Sequence, residues 1–76
     1  MISVYAIRFE EGAIYVGLTK DLDRRMEEHR RRQSPSTRRF MGQFSLIYQQ
    51  AFETYPEARK HEKYLKSGAG RRLLKQ

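Results

Sequence analysis

Residues 2–18 read ISVYAIRFEEGAIYVGL. Two runs rich in β-branched and aromatic side chains, Ile2 to Phe9 and Ala13 to Leu18, flank Glu10-Glu11-Gly12, a pattern that predicts a β-hairpin. A three-residue loop fits best, with the two Glu in a type I turn and Gly12 in the left-handed conformation that glycine adopts at little cost. That register sets Ile7 opposite Tyr15 and Tyr5 opposite Gly17. Side chains alternate between faces, so Tyr5 and Tyr15 fall on one face as diagonal neighbours, about 7–8 Å apart. A two-residue loop would send them to opposite faces. The Gly12 turn therefore decides whether the two hydroxyls can act together.

Downstream, Thr19 is placed to cap a helix from about Lys20 to Arg31, with Asp21 and Asp23 near its positive end and Arg30-Arg31-Arg32 near its negative end. Its apolar stripe is thin: Leu22 and Met26 are spaced i, i+4, and Arg25 and His29 complete that face. Arg25 is expected at the margin between core and solvent, with Arg24 and Glu28 pointing outward. Residues 33–41 (QSPSTRRFM) have no periodicity and read as a surface loop, whose Arg38 and Arg39 either contact phosphates or belong to a solvated connector. Phe44 to Phe52 reads as a third strand, with Phe44, Leu46 and Tyr48 on one face and Ser45, Ile47, Gln49 and Ala51 on the other.

Thr54 and Glu57 form a capping box that opens a second helix, with Pro56 tolerated in its first turn. Ala58 and Leu65 mark the inward face, and Glu62 falls between them. An ionised carboxylate is costly to bury unless it is paired or holds a metal. Glu62 thus either bonds an arginine such as Arg25 or Arg59, reaches to the rim, or coordinates a cation. His61 is either its partner or exposed. Gly68 is read as the cap ending this helix, after which Arg71 to Lys75 form one more turn with Leu73 and Leu74 closing the core.

The chain has 76 residues, no Cys and a formal net charge of +7. That length predicts a single domain spanning residues 1–76 with a modest core. Without Cys there is neither a disulfide framework nor a thiolate metal site. The excess of positive charge favours a polyanionic partner, nucleic acid before an acidic membrane or a surface that serves only solubility. No apolar run reaches a spanning length and the N-terminus has no signal-peptide pattern, so the expectation is a cytoplasmic protein without a membrane partner.

The order strand, strand, helix, strand, helix, short helix predicts an α+β fold: a three-stranded antiparallel sheet in order 2-1-3 flanked by helices. Strand one, apolar on both faces, suits the centre. At this point the residues carry a resemblance. Ser3-Val4-Tyr5 and Tyr15-Val16-Gly17 resemble the two tripeptides of the GIY-YIG nuclease domain family, at the interval usual there, with Ser3 in place of the first Gly. Thr19, Leu22, Arg25 and His29 match the helix that carries the family's arginine, and Glu62 falls where the family places its metal-binding glutamate. Leu18 stands where some members have a Lys. The ending LKSGAGRRLL resembles small standalone members.

The resemblance implies a metal-dependent endonuclease that hydrolyses DNA, directed by structure or damage, as in DNA repair, or weakly specific. It implies catalytic roles for Tyr5, Tyr15, Arg25, His29 and Glu62. Glu62 would hold one Mg²⁺ or Mn²⁺, Arg25 would stabilise charge on the phosphate, and Tyr5 is preferred over Tyr15 as the base. Gly17, Lys20, Arg24, Arg38 and Arg39 are candidate substrate contacts. RNA is the alternative polynucleotide, and a protein partner an alternative source of specificity. The competing readings are a non-catalytic nucleic-acid-binding module and a subunit or adaptor acting with another protein.

Overall fold

A computed structural model describes residues 1–31 and 43–75. Its elements are β1 (Ile2–Phe9), β2 (Ile14–Thr19), α1 (Leu22–Arg30), β3 (Phe44–Phe52), α2 (Tyr55–Lys66) and α3 (Gly68–Leu74). The three strands form one sheet in the order β2-β1-β3, both neighbours antiparallel to β1. This is the α+β arrangement expected from the sequence. Gly12 is left-handed at φ 98°, and the hairpin closes through Phe9 N–H to the Ala13 carbonyl at 2.9 Å and Gly12 N–H to the Phe9 carbonyl at 2.8 Å. Ile7 lies opposite Tyr15, and Tyr5 opposite Gly17.

The alternating side chains of β1 feed two cores. On one face Tyr5, Ile7 and Phe9 pack with Met26 of α1. On the other, Val4 and Ala6 pack with Val16 and with Ala58, Leu65 and Leu74 of α2 and α3. Val4, Ile7 and Leu65 are fully buried, each worth ~1.5–3 kcal/mol relative to exposure. A sheet covered on both sides by helices satisfies the two-faced apolar pattern of its central strand.

Several local expectations need correction. Helix α1 starts at Leu22, not Lys20, because Asp21 is the cap: its carboxylate accepts the Arg24 N–H at 3.1 Å. Thr19 ends β2 and its hydroxyl accepts the Asp21 N–H at 3.1 Å. Strand β3 does not alternate throughout. Ala6 pairs with Tyr48 and Ile7 with Leu46, so Ile47 is an extra residue opposite no partner. Such a bulge shifts the phase of every residue beyond it. Phe44 stays on the α1 side, whereas Ile47, Tyr48 and Phe52 all pack on the α2 side.

Gly68 does not cap α2. Ser67 does, and its hydroxyl also accepts the Gly70 N–H at 3.4 Å to open α3. The glycine that packing requires is Gly70, where a Cβ would run into the Tyr64 carbonyl and the Leu65 backbone. It lets α3 lie directly against α2. Leu74 is buried as expected, but Leu73 is exposed. Thr54 caps α2 and pairs with Glu57, as expected: its Oγ1 accepts the Glu57 N–H at 3.4 Å, and it is this hydroxyl that donates to Glu57 Oε1, at 2.8 Å.

Candidate active site

Tyr5 stands on the central strand with its side chain under α1, fully buried. Tyr15 reaches the same space from β2, with ring centroids 6.2 Å apart. The approach is possible because Gly17 lies between them: a Cβ there would sit 2.7 Å from the Tyr5 hydroxyl and 2.9 Å from Tyr15 Cε2. Gly17 therefore makes room for the two phenols, and its structural part is that of a spacer, whatever it contacts in a substrate.

Helix α1 supplies the other side. Arg25 and His29, one turn apart, both point to the sheet. The Tyr5 hydroxyl lies 2.8 Å from His29 Nε2 and accepts Arg25 Nε–H at 3.3 Å. That oxygen can both donate one hydrogen and accept, so with the imidazole neutral either partner can supply the hydrogen of the Tyr5–His29 bond. His29 rings sit edge-on to Tyr5, Tyr15 and Phe44 at centroid distances of 5.8, 5.5 and 6.1 Å. Arg25 also donates to Glu28 Oε1 at 3.1 Å. Glu28 was expected to point outward; it is half-buried instead, because it lies i+3 from Arg25 and pairs with it.

These contacts set the charge states. Burial pushes Tyr5 up to about 12, opposed by the Arg25 hydrogen bond and reinforced by Tyr15. Burial, then the Arg25 charge, push His29 down to about 4 against the opposing pull of Glu28. Arg25 loses proton affinity to burial but gains more from Tyr5 and Glu28, so it is raised and permanently charged. At neutral pH the cluster is thus a neutral tyrosine and a neutral imidazole beside one fixed cation.

Glu62 is buried on the inward face of α2, as its position between Ala58 and Leu65 predicts. Its oxygens are held by Arg59 Nη1 at 3.0 Å and Lys66 Nζ at 3.2 Å. Both partners belong to its own helix and are half exposed. Glu62 does not enter the tyrosine cluster, since α2 covers the opposite face of the sheet. His61 is not its partner either: His61 Nε2 bonds the Tyr48 hydroxyl at 2.6 Å, on β3. With His61 turned to β3, Glu62 lies ~100° further round the helix and faces the β2 side. The carboxylate and the tyrosine cluster therefore lie on opposite faces of the sheet, of which β2 is one edge strand.

Lys20 and Arg24 are exposed at the start of α1, Arg24 facing Glu28 at 3.7 Å. Arg38 and Arg39 lie outside the described residues. The bond from Tyr48 to His61 was missed, because the bulge that turns Tyr48 toward α2 leaves no mark in the strand's pattern.

The small α+β sheet thus gathers two tyrosines, an arginine and a histidine on one face, with a buried glutamate on the helix that covers the other. A family profile described as the GIY-YIG catalytic domain matches residues 1–74, and the chain belongs to that family. UPF0213 proteins from Staphylococcus aureus strains Mu3 and N315 are each 32% identical to it over 72 residues, covering 95% of this chain and 88% of theirs. The solution NMR structure of a UPF0213 protein from Bacillus halodurans shares the fold, with a TM-score of 0.59 and 31% identity across 97% of this chain and 82% of that one. Membership implies nuclease-type chemistry on a nucleic acid. Nucleases of the family are in general divalent-metal dependent.

Among the described residues no three His, Cys, Asp or Glu side chains come together. Glu62 is the buried carboxylate that could hold a cation. One ionised carboxylate fits a hard dication that keeps most of its water and takes phosphate oxygens besides. The present partners of Glu62, Arg59 and Lys66, are half exposed. No helix among the described residues is long and apolar enough to cross a membrane.

Proposed function

We propose that this chain is a divalent-metal-dependent endonuclease that hydrolyses phosphodiester bonds of DNA, with the scissile phosphate seated at the β2 edge between the tyrosine cluster and Glu62. The observation that carries this reading is the buried Tyr5 hydroxyl, bonded to both His29 and Arg25. A fully buried phenol joined to a neutral histidine and an arginine exceeds what packing of this face requires. Its position beside a half-exposed Tyr15 supplies a route for a proton from solvent to the interior.

Glu62 would hold Mg²⁺ or Mn²⁺, which when bound adds positive charge at the phosphate and acidifies its bound water. The remaining roles fall to the chain. Arg25 places a fixed cation beside the reacting group, where it stabilises negative charge as the phosphate gains it. Burial alters the preference between the tyrosines. Tyr5 has no exposed surface, so Tyr15 is assigned the contact with the attacking water, and Tyr5 with His29 stands behind it. Neutral His29 is the group within the cluster that would take a proton, with its basicity rising as the phosphate becomes more negative.

Among the described residues no element that reads base edges is visible, so DNA structure, damage or a partner protein would supply specificity. The deciding experiment is cleavage of labelled duplex, flap, branched and single-stranded DNA and RNA with Mg²⁺, Mn²⁺ or chelator, alongside Glu62→Gln and Arg25→Ala. Metal-dependent cutting lost in both variants, with binding retained, supports the reading. Binding without cutting under every condition would replace it with the non-catalytic module.

A further inference from the structure

The cations of α1 are largely spoken for. Arg24 and Arg25 pair with Glu28, and Arg30 and Arg31 pair with Glu27. Among the described residues, unpaired positive charge is found also on the C-terminal helix. A groove of about 460 Å³ runs between the free edge of β2 and the C-terminal helices, bounded by Tyr15, Leu65, Lys66, Arg71, Leu74 and Lys75. No acidic residue lines it among the described residues. The depression on the α1 side of β2, in contrast, mixes Asp21 and Glu28 with its cations.

Arg71 and Lys75 are exposed and have no acidic partner among the described residues. They lie one turn apart, with Lys75 N–H bonded to the Arg71 carbonyl at 3.1 Å, so their side chains leave the same face of α3 with a rise of ~6 Å between them. Two cations repeated on that scale suit successive phosphates of one strand. Lys66 stands at the near end, where its ammonium already meets the Glu62 carboxylate.

We propose that this groove binds the phosphodiester backbone of the substrate strand, with Arg71 and Lys75 contacting phosphates that lie beyond the scissile one. The assignment rests on the nucleic-acid substrate of the preceding section. It makes α3, and the Gly70 contact that seats it on α2, part of the binding surface. A phosphate at the near end would draw Lys66 away from Glu62, so that substrate entry frees a carboxylate oxygen.

The test is equilibrium binding of a short labelled duplex and its single strand, in chelator, over a range of salt. The paired variant Arg71→Gln/Lys75→Gln is compared with Lys63→Gln/Arg72→Gln, which removes the same charge from exposed positions outside the groove. Both pairs should keep the thermal midpoint of the parent protein. The groove pair should lower the slope of log affinity against log salt by ~1.8 on duplex, two contacts at ~0.9 each, while the control pair leaves it unchanged. Equal losses in both pairs, or none in either, would overturn the groove as a defined track. Should the parent protein bind with the expected slope yet never cut, the nuclease reading fails and the groove stands. Should it cut while the groove pair matches the control, the groove fails and the nuclease reading stands.

Discussion

Gly17→Ala tests the packing of the tyrosine cluster directly. On the present backbone the added methyl would lie 2.7 Å from the Tyr5 hydroxyl oxygen, 2.9 Å from Tyr15 Cε2 and 3.0 Å from Tyr5 Cζ. The end of a side chain usually yields to such a clash. Tyr5 cannot yield cheaply, because its ring is fully buried and its oxygen is held by His29 and Arg25. Overpacking of this kind costs ~1–3 kcal/mol. Moving the hydroxyl also leaves His29 Nε2 without its buried hydrogen-bond partner, at ~1–3 kcal/mol. Alanine returns ~0.5–1 kcal/mol through the smaller entropy of its unfolded chain. The balance is a loss of about 1–5 kcal/mol, centred on ~3, which at about 4–8 °C per kcal/mol in a domain of this size lowers the thermal midpoint by roughly 10–25 °C at the centre of that range.

Thermal unfolding followed by circular dichroism at neutral pH measures that loss. Burial is the main cause of the lowered His29 pKa, so an NMR titration should show it rising toward its ordinary range as the repacking admits water to the imidazole. Adding Tyr5→Phe removes the atom in closest conflict, so it should cost less in the Gly17→Ala background than alone, with a coupling of ~1 kcal/mol. A midpoint lowered by less than about 2 °C, with an unchanged His29 titration, would refute the claim that Gly17 exists to admit the two phenols.

The depressed His29 pKa predicts a pH dependence of stability. Below its unfolded value of 6.5 the unfolded chain binds the proton that the native state refuses, so stabilisation is complete above that pH and is lost as pH falls toward about 4. Roughly 3 kcal/mol is at stake, and urea unfolding at neutral and acid pH should show a smaller difference for His29→Phe than for the parent. Gly70→Ala should destabilise the fold although alanine is the better helix former by ~1 kcal/mol. The obstacle is backbone of α2, which cannot rotate aside, and denaturant titration should show the loss together with a weaker salt dependence of nucleic-acid binding. Tyr48→Phe removes the bonds to His61 and Gln50 at 2.6 and 2.7 Å and should cost ~1 kcal/mol. Cleavage rates should stay unchanged, because those residues lie on the β3 side of α2.

The hairpin was legible because its determinants are local. A glycine at the turn fixes the loop length, loop length fixes register, and register puts Tyr5 and Tyr15 on one face. Helix periodicity likewise placed Arg25 and His29 over that face and Glu62 on the inward side of α2. What the pattern concealed arises from comparisons between distant segments. The bulge at Ile47 is a mismatch between β3 and β1, and neither strand alone reports it. The position of Glu62 across the sheet from Arg25 follows from which face each helix covers, a property of topology rather than spacing. Gly70 was passed over because glycine near a helix end is ordinarily a cap, whereas here it is a point of contact. The pairing of Glu28 with Arg25 was available from their i, i+3 spacing and was overlooked in favour of an outward reading.

The strand that carries Tyr5 is hydrogen-bonded on both sides and covered on both faces, with Val4, Tyr5, Ala6 and Ile7 showing no exposed surface. Its amides can exchange with solvent only when the whole molecule opens, so this segment belongs to the last cooperative unit to come apart. Helix α1 is tied down by a much thinner apolar stripe and can breathe at lower cost. Tyr5 is consequently the fixed reference of the cluster, and any adjustment to an incoming substrate is made by Arg25 and His29 moving toward it or away.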